Sequence, residues 1–198
     1  MMRTMTALAL LTATASALAT APTSLLKVTE QVRNEADGTS SLSHAVIVPA
    51  SLAQVWSAIS TVDGWKTWAV PVAWMTADRP QVIETSYNPA AKPGDAMNIE
   101  NEFTARVPER KLVFRTIKAP AGFPHAEALR QVTQTFELAP EGSGTKVSLT
   151  GTGYSNDQSG QAVLAFFKDG NRVSLEMLRD RFATGPIDWA EKLKKPLK

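Results

Sequence analysis

HAVIVPASLAQVWSAISTVDGWKTW, residues 44–68, changes its hydrophobic period across a proline. His44, Val46 and Val48 alternate as one face of a strand does, whereas beyond Pro49 the residues Leu52, Val55, Trp56 and Ile59 recur at helical spacing. A strand therefore runs straight into an amphipathic helix over residues 51–60. Ser51 stands just before that run, where its hydroxyl can take an unpaired backbone N–H of the first turn. A second short helical turn, about 62–68, then carries Trp65 and Trp68 three positions apart.

Upstream, residues 25–33 read as a strand and Ala36-Asp37-Gly38 as a turn, so 25–33 and 42–48 form a hairpin. Downstream, five more strands are expected at about 81–87, 97–107, 111–118, 130–138 and 145–154. Turn signals part them: Asn88-Pro89 with Pro93-Gly94, Pro108-Glu109, Pro120-Ala121-Gly122 and Glu141-Gly142-Ser143-Gly144. A long helix over about 160–184 is stopped by Gly185-Pro186. Val163, Phe167, Gly170, Ser174 and Met177 form one of its stripes, with Leu164, Leu175, Leu178 and Phe182 beside it. Only Asp169, Arg172, Glu176 and Asp180 make a solvent stripe. A helix so broadly apolar calls for enclosure, and a curved antiparallel sheet would supply it. The expected class is α+β, one seven-stranded antiparallel sheet wrapped around a long C-terminal helix, with two short helices after strand 2. The tail, 185–198, holds a short helix, with Ile187 and Trp189 as its docking candidates.

The chain has 198 residues and is 43% apolar, which suits one domain with a sizeable core. Its first 19 residues combine Arg3, an apolar run at 7–11 and the small-residue end Ala17-Leu18-Ala19, the pattern of a cleaved secretory signal; a linker, 20–24, follows. Thr12, Thr14 and Ser16 break the apolar run, which argues against a membrane anchor. The expected location is outside the cytoplasm, in a bacterial periplasm, with no integral membrane segment in the mature form. A formal net charge of +2, with no basic cluster beyond the tail lysines 192, 194, 195 and 198, gives nucleic-acid binding no support. The absence of cysteine removes thiol chemistry and thiolate metal sites.

The element order, the proline-to-helix junction and the Trp-x-x-Trp turn resemble the START-like superfamily, also called SRPBCC, over about residues 25–182. The resemblance implies the birch-pollen-allergen, or helix-grip, fold. Within it, VPASLAQVWSAISTVDGWKTW is similar to the activator-of-heat-shock-chaperone-ATPase homologues and their polyketide cyclase relatives. SYNPAAKPGDAMNIEN and APAGFPHAEA are similar to blocks of exported bacterial members. The chaperone-activating role does not carry over to the compartment that the N-terminus implies. What does carry over is a cavity between the concave sheet face and the long helix, with a hydrophobic small molecule as the expected partner.

Strand alternation places Ile99, Asn101, Phe103 and Ala105 on one face, and the same logic sets Gln134 between Val132 and Phe136, and Arg115 between Val113 and Ile117. Asn101, Gln134 and Arg115 are thus polar groups among apolar neighbours, and buried polar groups need partners. With Phe103, Phe167, Asn171, Trp65 and Trp68 they are the ligand-binding candidates; the two tryptophans belong to the turn that lies at the cavity mouth in relatives. His125, in a Pro-Gly loop, is the best proton-transfer candidate. Tyr87, Tyr154, Asn101 and Arg115 complete a set for a cyclase, aromatase or hydratase, which requires that the five converge. His44 reads as a structural histidine. No cofactor is implied: Gly142-Ser143-Gly144 lacks a phosphate-binding frame, Ser57, Ser86 and Ser159 lack a nucleophile-elbow context, and the two histidines show no metal-ligand spacing. A carrier for a lipophilic molecule is the first functional expectation and a cyclase-like enzyme the second.

Overall fold

The computed structural model describes residues 27–194, so the expected signal segment and linker lie outside the described residues. The elements run β1 (Thr29–Asn34), β2 (Thr39–Val48), α1 (Leu52–Ser60), α2 (Val62–Lys66), β3 (Val72–Trp74), β4 (Val82–Ser86), β5 (Ile99–Val107) and β6 (Lys111–Lys118). They continue with α3 (Ala126–Gln131), β7 (Thr133–Glu141), β8 (Gly144–Ser155), α4 (Gln158–Thr184) and α5 (Trp189–Lys192). The strands form one antiparallel sheet in the order β1-β2-β8-β7-β6-β5-β4-β3. The sheet thus has eight strands where seven were expected. The added one, β3, is three residues long, too short to show alternation. Helix α3 was also unforeseen. Its Ala, Glu, Leu, Arg and Gln are good helix formers, but six residues are too few for a helical period to show.

The junction at Pro49 forms as expected. Ser51 Oγ accepts from Gln54 N at 3.3 Å and Gln54 Oε1 accepts from Ser51 N at 3.0 Å, a reciprocal capping box. Thr61 caps α2 by accepting from Gly64 N at 3.0 Å. A Cβ at position 64 would fall 2.2 Å from Ser57 O, so glycine there lets α2 fold back onto α1. Asp157 caps α4, accepting from Gly160 N at 2.8 Å.

Leu42, His44, Val46 and Val48 of β2 are buried on one face, as are Val147, Leu149 and Gly151 of β8 and Gln134, Phe136 and Leu138 of β7. This inner face receives α4, which packs chiefly on β2 and β8. Enclosure of α4 is partial: Val163, Leu164, Asn171, Leu175 and Leu178 are buried, while Phe166 and Val173 are exposed. The tail docks on the end of α2. Ile187 N donates to Thr67 O at 2.9 Å, and the Trp189 indole donates to Lys66 O at 2.6 Å.

Candidate functional site

The interior is two apolar clusters. One joins α1, α2 and the adjacent sheet through Val46, Val48, Phe103, Leu112, Phe136, Leu175 and Leu178. The other joins Leu42, Leu129, Val132, Tyr154, Val163 and Leu164, with Phe123 and Phe167 packed against it. Where chain segments pass from one cluster to the other, their buried residues are polar. His44 stands between Leu42 and Val46 on β2, Gln134 between Val132 and Phe136, and Asn171 between Phe167 and Leu175 on α4. On β6 and β5, Thr116 lies past Phe114 and its partner Asn101 past Phe103. A polar seam thus crosses the grip.

Its members differ in how well they are satisfied. Thr116 Oγ1 donates to Asn101 Oδ1 at 2.8 Å. Gln134 Nε2 donates to the Tyr154 hydroxyl at 3.3 Å. Gln134 Oε1 and Asn171 Nδ2, both in side chains only 4% exposed, have no hydrogen-bond partner among the described residues. Each such orphan costs about 1–3 kcal/mol. Burial pushes the Tyr154 phenol well above its ordinary pKa, so it stays protonated. The bulge between Ser40 and Ser41 opposite β8 shifts register so that Tyr154 turns inward. A Cβ on residue 151 would lie 2.2 Å from the Tyr154 hydroxyl, so Gly151 makes the room for that ring. His44 is neutral-leaning: burial holds its pKa below the usual imidazole range, against the upward pull of Glu30, 3.2 Å away.

The apolar end beside α1 and α2 is filled by aromatic rings. Trp65 lies 6.0 Å from Trp68, 6.4 Å from Phe103 and 6.3 Å from Phe114, and Phe114 stacks on Phe136 at 5.9 Å between centroids. Both tryptophans are buried, and their indole N–H groups are committed, Trp65 to Ile59 O at 2.6 Å and Trp68 to Ala58 O at 2.9 Å. They anchor α2 beneath α1 rather than standing open at a mouth. The other end opens outward through a second series of rings. Phe123 packs edge-on to Phe166, 5.4 Å away; Phe166 meets Phe167 at 5.4 Å; Phe167 meets Tyr154 at 6.2 Å. Phe166 is 54% exposed and Tyr154 fully buried, so the series leads from solvent to the seam. Of these four rings, Phe123 and Phe166 were not among the sequence candidates; the adjacent pair Phe166-Phe167 was the available signal.

Several expected placements change. Arg115 is on the outer face, where its guanidinium pairs with Glu102 at 2.8 Å. The inner residues of β6 are Leu112, Phe114 and Thr116, one register step from the expected set. A bulge between Phe103 and Ala105 leaves Ala105 exposed, while Arg106 lays its guanidinium over the Phe103 ring at 4.4 Å. His125 is exposed at the start of α3, in a left-handed conformation at φ 60°, with Nδ1 3.0 Å from Ser159 Oγ. Tyr87 is half exposed beyond β4. The structure therefore brings Asn101, Gln134, Tyr154, Phe167 and Asn171 to the grip, and Phe103 to its aromatic end, but it leaves Arg115, His125 and Tyr87 apart. The five residues named for proton transfer do not converge. Two open depressions, of about 480 and 570 Å³, lie on the outer side, among Thr29, Gln31, Ser43, Ser148 and Thr150 and among Asp37, Thr39, Thr133 and Thr152. Among the described residues no three potential metal ligands cluster, and no helix is long and apolar enough to cross a membrane.

An antiparallel sheet closed on one long C-terminal helix, with a polar seam between two apolar clusters, is a helix-grip protein. Residues 39–183 match the family described as polyketide cyclase / dehydrase and lipid transport, and the chain belongs to that family, within the START-like superfamily. Solved structures to which it is similar include the Aha1 dimer from Colwellia psychrerythraea, at 17% identity and TM-score 0.55, covering 73% of this chain and 97% of that one. CalU16 from Micromonospora echinospora is 18% identical with TM-score 0.54, covering 84% and 89%. MLL2253 from Mesorhizobium loti is 16% identical with TM-score 0.56, covering 74% and 99%. At these identities the likeness establishes the fold alone. Comparison with curated proteins finds no match.

Proposed function

We propose that the protein is an exported carrier that holds a lipophilic small molecule between the inner sheet face and α4. The observation that carries the reading is the pair of unpartnered amide atoms, Gln134 Oε1 and Asn171 Nδ2, buried between apolar clusters. A site that binds an apolar body and orients it by a few polar groups has this composition. Phe123, Phe166 and Phe167 give such a molecule a path inward, and its apolar body lies against Leu42, Val132 and Leu164. Export rests on the N-terminal pattern, Arg3 followed by an apolar run and Ala17-Leu18-Ala19.

A cyclase-like activity is the second reading, and family membership favours it. The scattering of Arg115, His125 and Tyr87 favours binding without chemistry. The test is native mass spectrometry of the protein purified from its source, together with titration of N-phenyl-1-naphthylamine, a fluorescent apolar probe. The reading expects a co-purifying adduct and saturable fluorescence lost on Phe167→Asp substitution. A chain that carries no adduct and does not bind the probe refutes it. N-terminal sequencing checks export, with Thr20 as the expected first residue of the mature protein.

A further inference from the structure

The sheet ends on one side at β3, three residues long and packed against α2, and on the other at β1. β1 is a longer edge: six residues, Thr29–Asn34, in unbroken register with β2 and all six exposed, with β2 as their only strand partner among the described residues. A strand at a sheet edge carries a row of backbone N–H and C=O groups able to pair with another strand, and proteins guard such edges with proline, lysine, a bulge or a covering element. TEQVRN has no proline and no lysine, and its pairing with β2 carries no bulge. Its one acid is turned away from the edge: Glu30 reaches back to the inner side, 3.2 Å from His44 Nε2 and 3.6 Å from Lys168 Nζ. Val32 stands 39% exposed in the middle of the strand.

A second copy of the chain fits this edge. Two β1 strands related by a two-fold axis through the sheet pair antiparallel, and residues directly opposite share a face. A pair centred on Glu30 or on Arg33 sets like charges opposite, which destabilises it, and one centred on Gln31 sets Glu30 against Val32. Registers centred on the ends of the strand make fewer pairs. Centring on Val32 sets Val32 against the partner's Val32, Gln31 against the partner's Arg33 and Glu30 against the partner's Asn34. Charge favours the same register. Arg33 lies on the outer side, where it donates to Gln31 Oε1 at 3.0 Å. The depression of about 480 Å³ begins beside Gln31 and Ser43, and its lining holds two carboxylates, Glu30 and Glu137, and no lysine or arginine. Set opposite Gln31, the partner's Arg33 brings a guanidinium to its mouth.

We infer that two copies of this chain join edge to edge through β1, antiparallel and centred on Val32, so that two eight-stranded sheets become one continuous sheet. The pairing is independent of what the grip holds.

The experiment is sedimentation velocity on the full processed chain from about 1 to 500 µM, the range in which a small interface associates. The expected result is a reversible monomer–dimer equilibrium that Val32→Lys weakens at least about tenfold, since it sets two like charges opposite each other. The chain has no cysteine, so single cysteines read the register. Val32→Cys is expected to cross-link to itself under mild oxidation, its opposed Cα atoms falling within disulfide reach. Gln31→Cys and Arg33→Cys are expected to cross-link when mixed and not alone. Thermal transitions check that each variant folds; if Val32→Lys does not, the cysteine pattern decides. A wild-type chain that stays monomeric across the range overturns the inference. So does a dimer in which Val32→Lys associates as before or Val32→Cys does not cross-link.

Discussion

Replacing Asn171 by leucine should make the unliganded protein more stable. The Asn171 side chain is buried in mid-α4 at 4% exposure, and its Nδ2 has no partner among the described residues. Removing an orphaned donor recovers about 1–3 kcal/mol of desolvation penalty. Leucine keeps the branched arrangement of four side-chain heavy atoms, so no cavity forms, but its methyl groups are bulkier than the amide and some overpacking offsets part of the gain; it favours the helix by a few tenths of a kcal/mol. The neighbours one turn away on either side, Phe167 and Leu175, are apolar. For a chain of this size about 1–3 kcal/mol corresponds to a rise in Tm of roughly 2–12 °C. The assay is thermal and urea denaturation of delipidated protein, followed by circular dichroism. With a saturating ligand the order should narrow or reverse, because wild type gains about 2.7 kcal/mol at a hundredfold excess over Kd and the variant has lost a contact. Destabilisation of the unliganded Asn171→Leu protein by more than about 3 kcal/mol, beyond what overpacking accounts for, would show that the amide is satisfied in the free protein and refute its role in a binding site.

Trp65→Phe should behave in the opposite sense: it strands Ile59 O, which the indole reaches at 2.6 Å, and costs about 1–3 kcal/mol in urea denaturation without changing the preference among ligands. Arg115→Ala should move stability by less than about 1 kcal/mol and leave probe affinity unchanged, since its pairing with Glu102 is a surface one; a tenfold loss of affinity would put the guanidinium back in the site. Burial lowers the pKa of His44 in the folded state, so the unfolded chain takes up the proton first. Stability is full above about pH 6.5 and declines as pH falls through that value toward the lower folded-state pKa. The urea midpoint measured from pH 7.5 to 5 should therefore fall, and a flat or rising profile refutes the assignment. Ending the chain after Gly185 removes the Ile187 and Trp189 hydrogen bonds to α2 and should lower stability by about 1–3 kcal/mol, read from the same urea curves.

The fold was legible wherever a period had room to repeat. β2 and α1 on either side of Pro49, the hairpin, β6 and the 27-residue α4 follow from alternation and helical spacing, and Ser51 caps as its position indicates. β3 and α3 are too short to carry a period. The site was legible in part for a related reason. Alternation says which residues share a face but not which face is inner, and Arg115 satisfies the pattern as well on the outside, beside Glu102, as on the inside. Bulges add a second difficulty: one at Phe103/Ala105 turns Ala105 out, and one at Ser40/Ser41 turns Tyr154 in, each breaking the period at a single residue. Gln134 was legible as a buried amide because an uncharged amide set between Val132 and Phe136 is unusual on either face.

The tryptophans and the amides also separate two kinds of buried polarity. Trp65 and Trp68 place their N–H groups on carbonyls at the end of α1 and thereby tie two short helices together, so their polarity serves the fold and is spent within it. Gln134 and Asn171 are buried as deeply, yet one acceptor and one donor are left over. Hydrophobic residues at both positions would continue the clusters on either side and remove about 2–6 kcal/mol of unmet hydrogen bonding, a large share of the stability of a typical domain. Gly151 sharpens the contrast. A larger residue there would push the Tyr154 hydroxyl away from Gln134, so the backbone itself is shaped to keep the phenol beside the amide. An interior that makes room for the phenol beside Gln134 and leaves two buried amide atoms without partners among the described residues is not the arrangement that stability alone favours.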